Sequence, residues 1–116
     1  MTTKEILNLY GIEMVNSSIP ALLGGGNMES FFMVRNDTED LKDLILQLQH
    51  FMKGNTPPCA DGDNLGGLGN LAYIDASSGV VHFNNPYTGE ITQTVPLEQF
   101  KIITEAWRDF MIANGW

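Results

Sequence analysis

The stretch from residue 70 to residue 113 most narrows what this chain can fold into. Three short β-prone runs, "NLAYID", "VVHFN" and "ITQTV", are separated by "ASSG" and "NPYTGE". Each separator carries the glycine or Asn-Pro signals of a tight turn, so the three runs read as an antiparallel meander. Leu71 and Tyr73, Val81 and Phe83, and Ile91 and Val95 alternate along these runs and are expected to share one sheet face. Pro96 cannot donate to a strand ladder but suits the first turn of a helix, which sets the end of the meander. Over 97–113 the residues Leu97, Phe100, Ile103, Trp107, Phe110 and Met111 recur at helical spacing. Glu98, Lys101, Glu105 and Arg108 form the opposite, solvated face with opposite charges three and four apart.

The first half alternates between helix and strand signals only once. "TTKEILNLYG" predicts a short helix stopped by Gly11, and "IEMV" a short strand interrupted by Ser17, Ser18 and Pro20. "GGGN" at 24–27 is a turn whose glycines suit positive φ. "SFFMVRND" at 30–37 concentrates aromatic and β-branched residues and predicts a buried strand feeding a helix. Asp37 caps that helix, Glu39 and Asp40 place acids in its first turn, and Leu41, Leu44, Ile45, Leu48, Phe51 and Met52 form its apolar stripe. Lys53 and Gly54 close it. Helix and strand in this order predict an α+β fold, an antiparallel meander sheet with helices packed on one face, rather than a doubly wound sheet.

With 116 residues, 43% of them hydrophobic, the chain has the apolar material for one core, so 1–116 is expected to be a single domain. "MTTKEILNLYG" has an acid at position 5 and no apolar h-region, which predicts no secretory signal, and no apolar run approaches the ~20 residues of a membrane span. The lone cysteine, Cys59, has no internal disulfide partner. A cytoplasmic protein is the expectation. Fourteen acids against six bases give a net charge of -8, which disfavours direct contact with nucleic acid or an anionic membrane and favours a basic partner.

"PPCADGDNLGGLGNLAYID" at 57–75 invites three chemical readings. A calcium loop counted from Asp61 would need an oxygen ligand at its fifth position and Glu at its twelfth, where Leu65 and Ala72 stand. A phosphate loop would need a Gly-Lys-Ser/Thr ending and a following helix, neither of which is present. For zinc, Cys59, His50 and His82 are scattered without paired spacing. No serine lies in a G-x-S-x-G setting, and the carboxylates single out no catalytic pair. The expectation is a non-enzymatic chain with no cofactor and no metal, whose glycines at 66, 67 and 69 serve turn geometry.

The block "ADGDNLGGLGNLAYIDASSGVVHFNNPYTGEITQTVPLEQFKIITEAW" resembles the C-terminal half of SUKH-type immunity proteins, small α+β proteins that protect bacteria from polymorphic and contact-dependent toxins. Asp61, Gly66, Gly67, Gly69, Asn70, Asp75, Gly79, Gly89, Leu97 and Phe100 stand at the matching places, whereas "SIPALLGGGN" departs from the longer helix usual in the first half. The resemblance implies an inhibitor that masks a cognate toxin domain, with a basic nuclease as the partner that the acidic charge suits. The acids expected to meet it are Asp61 and Asp63 in the loop, Glu90 at a turn, and Glu105 and Asp109 on the last helix. Trp116 is either an aromatic anchor or a cover for the core. The alternative is an unrelated acidic binding or regulatory module that engages another basic protein.

Overall fold

In the computed structural model, residues 1–33, 37–53, 72–75, 78–85 and 87–116 are described. Helix α1 spans Thr3–Leu9 behind a capping box, in which the Thr2 hydroxyl accepts from the Glu5 N–H and the Glu5 carboxylate accepts from the Thr2 N–H. β1 (Glu13–Asn16) and β2 (Pro20–Leu23) form a hairpin with Asn16 opposite Pro20. The second of these strands was not anticipated. Pro20 takes the first position of β2, the place in a strand that tolerates its missing N–H.

A larger correction concerns the strand expected at 30–37, of which residues 34–36 lie outside the described residues. The expected strand is instead α2, Asn27–Met33, with Met28, Phe31 and Phe32 buried. These positions are three and four apart, which gathers them on one helix face. A short aromatic run of this kind has no periodicity that separates helix from strand. The turn before it decides the matter: Gly24, Gly25 and Gly26 all adopt positive φ and bring the chain sharply into α2. There the Glu29 carboxylate accepts from the Gly24 N–H.

Helix α3 (Thr38–Met52) follows its predicted pattern. Asp37 accepts from the Glu39 N–H as the cap, and Leu41, Leu44, Ile45, Leu48 and Phe51 are buried. Met52 is a correction at 47% exposure, having rotated past the edge of the buried stripe. The meander comprises β3 (Ala72–Asp75), β4 (Val80–Asn84) and β5 (Ile91–Pro96), paired antiparallel in the order β3-β4-β5. Helix α4 runs Leu97–Ala113, and the Leu97 N–H donates to the Gly79 carbonyl, which ties the helix start to the β3–β4 turn.

Two face assignments in the meander are also corrected. Ala72 and Ile74 face the core, whereas Tyr73 lies on the other side of the sheet opposite His82. The predicted alternation was one residue out of phase, and a one-residue shift moves every side chain to the opposite face. Ile91 is exposed because the register slips between Phe83 and Asn84. Phe83 pairs with Gln93 and Asn84 with Ile91, so Thr92 is the additional residue on β5.

The fold is α+β, and α2 and α4 pack on the same face of the meander. Their junction is an aromatic cluster: Phe100 lies 5.6 Å, centroid to centroid, from each of Phe31, Phe32 and Phe83. Helices α1 and α3 pack against α4. Thr104 is the buried polar exception on α4, and its hydroxyl donates back to the Phe100 carbonyl at 2.8 Å. Among the described residues no helix is long and apolar enough to cross a membrane.

Candidate functional site

The predicted contact acids divide according to what stands beside them. Asp61 and Asp63 lie outside the described residues, as does Cys59. Glu105 is half-buried on α4 and held 3.0 Å from the Lys101 ammonium one turn earlier. Asp109, one turn further on, is exposed and lies 2.9 Å from the Arg108 guanidinium. Each of these carboxylates already has a cation of its own chain. Glu90 differs: it is exposed, and among the described residues no lysine or arginine lies within ion-pair distance of it. It belongs to a separate element from the other two, the β4–β5 turn.

That turn is closed by its own hydrogen bonds. The Asn85 N–H donates to the Glu90 carbonyl at 2.8 Å, and the Gly89 N–H donates to the Asn85 carbonyl at 2.8 Å. The Asn85 side-chain oxygen accepts from the N–H of Tyr87 at 2.8 Å and of Thr88 at 3.3 Å, the local pattern for which asparagine is favoured in turns. The Thr88 hydroxyl accepts from the Glu90 N–H at 3.3 Å. Tyr87 is 93% exposed on this frame, and Ile91, turned outward by the register shift, is 51% exposed. Sequence reasoning passed over Tyr87. Its available signal was an aromatic residue inside an Asn-Pro…Gly turn, where no strand or helix period asks for one.

The outer face of the meander carries a cross-strand polar group. His82 Nδ1 lies 2.9 Å from the Thr94 hydroxyl, its Nε2 lies 3.7 Å from an Asp75 carboxylate oxygen, and its ring centroid is 5.0 Å from that of Tyr73. Carboxylate, imidazole and hydroxyl stand in the order of an acyl-transfer relay, but 3.7 Å exceeds hydrogen-bond reach. The other Asp75 carboxylate oxygen accepts from the Ser78 N–H and so shapes the β3–β4 turn. This arrangement pins three strands together. Among the described residues, no group of three His, Cys, Asp or Glu is placed to hold a metal ion.

Trp116 is neither free nor buried. Gly115 at φ 82° reverses the chain after α4, so that the Gly115 N–H donates to the Ile112 carbonyl and the Trp116 N–H to the Met111 carbonyl. The indole N–H then donates to the Asn16 side-chain oxygen at 2.9 Å, leaving the ring about half exposed beside the β1–β2 hairpin.

No family model matches the chain, and comparison with curated proteins and with solved structures gives no significant match. Of the predicted contact acids that the structure describes, Glu90 is the one with an uncompensated charge, and it stands in the same turn as the most exposed aromatic side chain.

Proposed function

We propose that this chain is a cytoplasmic immunity protein that binds a cognate bacterial toxin domain, a nuclease with a basic active-site surface, and masks it one to one without catalysis. The observation that carries this reading is electrostatic. Lys42, Lys101 and Arg108 each contact a carboxylate of the chain itself, while fourteen acids against six bases leave a surplus of -8 for a partner. Such a surplus speeds encounter with a basic surface and repels nucleic acid.

Further support comes from the elements that the SUKH resemblance anticipates. Asp75 closes β3, Gly79 lies in the turn into β4, Gly89 lies in the β4–β5 turn, and Leu97 and Phe100 open α4. The test is co-expression with a toxin domain, which this reading expects the adjoining gene to encode. A stoichiometric complex that survives purification, with protection of cells producing that domain, is the expected result. No complex and no protection overturns the proposal. A complex with some other basic protein, without protection from the toxin, supports a regulatory module instead.

A further inference from the structure

We infer that the β4–β5 turn is the docking element: Tyr87 enters an apolar pocket on the basic partner, and Glu90 pairs with a lysine or arginine at the rim of that pocket. This inference rests on the inhibitor reading and adds the place of contact. Tyr87 presents nearly all of its ring to solvent, at 93% exposure, and tyrosine is among the residue types that dominate binding energy when inserted into a pocket.

Asn85 and residues 87–90 of the turn are also braced by hydrogen bonds before any partner arrives. Asn85 accepts from two successive N–H groups and exchanges backbone bonds with Gly89 and Glu90. Little backbone freedom is then lost on binding, the term that most reduces affinity at flexible loops.

The partner's chemistry follows from charge. Glu90 is the one charged side chain of the turn and lacks a cation among the described residues, whereas Glu105 and Asp109 would have to exchange Lys101 and Arg108 for a partner's cation. A surface that offers a lysine or arginine beside an apolar hollow complements Glu90 beside Tyr87, and the whole-chain charge of -8 steers it in. Ile91 adds exposed aliphatic area at the base of the turn.

The experiment measures binding of the full chain to the toxin domain encoded by the adjoining gene, at low and high salt, for wild type, Tyr87→Ala, Tyr87→Phe, Glu90→Lys and the control Asp43→Lys on α3. Tyr87→Ala is expected to weaken binding about thirty-fold or more, mainly through faster dissociation, while Tyr87→Phe keeps most of the affinity. Glu90→Lys is expected to slow association and flatten its salt dependence well beyond what the equal charge change at Asp43 does. Unchanged thermal melting of the variants separates these effects from folding. If wild type binds and the Tyr87 and Glu90 variants bind as tightly, the docking inference is overturned and the inhibitor reading stands. If wild type itself does not bind, both fall.

Discussion

Gln93 holds Asn27 across 66 residues of sequence: its side-chain oxygen accepts from the Asn27 N–H at 2.9 Å, at the first residue of α2. The same amide donates its N–H to the Gly25 carbonyl at 3.0 Å. A polar side chain on the core-facing side of β5 thus satisfies a donor at the start of a helix that has no intrahelical partner. Gln93→Ala removes both bonds and leaves two part-buried backbone groups without partners. The expected loss is about 1–3 kcal/mol, read as a lower urea midpoint at unchanged slope. Gln93→Glu, which keeps the acceptor and loses the donor, is expected to fall between wild type and Gln93→Ala.

Two glycines with similar backbone angles should respond differently to alanine. Gly24 and Gly89 have φ of 82° and 74°, so both substitutions incur left-handed strain of about 1–2 kcal/mol. At Gly89 the new methyl would meet open space, but at Gly24 it would lie 2.0 Å from the Gly11 carbonyl oxygen, which forces backbone to move. Thermal melting of the two variants is expected to show Gly24→Ala as clearly the more damaging, by at least about 1 kcal/mol.

The aromatic junction concentrates stability at Phe100. Phe100→Ala opens a void among Phe31, Phe32 and Phe83 and is expected to cost about 3–5 kcal/mol, a large part of what a domain of this size possesses. Phe100→Leu should retain most of the packing. Denaturant unfolding gives the free-energy differences, and near-ultraviolet circular dichroism reports whether the cluster stays ordered.

Tyr10 predicts an alkaline limb in the stability profile. Burial raises its pKa above the ordinary value of 10.0, and its hydroxyl donates to the Gln99 side-chain oxygen. The folded chain therefore keeps this proton at a pH where the unfolded chain releases it. The stabilisation is complete below the ordinary value and is lost as pH rises through the folded one. Unfolding free energies from neutral to strongly alkaline pH are expected to fall less steeply for Tyr10→Phe than for wild type.

How much was legible from sequence depended on whether a residue's environment is set by its neighbours in the chain. α3 and α4 were readable because a cap at Asp37, a break at Pro96 and long apolar stripes all act locally. The pairing of Lys101 with Glu105 was visible as i,i+4 spacing for the same reason. α2 was not, since seven residues with two adjacent phenylalanines suit either period, and its start depends on Gln93 far along the chain. β3 was misphased because small Ala72 carries little hydrophobic signal, while Tyr73 covers His82 on the outer face. Ile91 was misplaced by a register shift that no alternation rule contains. At the candidate site Glu90 was legible as an acid in a turn, but the exposure of Tyr87 became apparent only once the turn's hydrogen bonds closed without using its side chain.

The contacts of α4 with the first elements imply an order of events during synthesis. Tyr10 bonds Gln99, 89 residues later, and Asn16 bonds Trp116, 100 residues later. On the ribosome, α1 emerges first but lacks the helix it packs on until α4 is released, whereas β2 can already meet α2. Helix α1 must wait, open to chaperones and proteases, and its docking depends on the slow closure of a long loop rather than on early local structure.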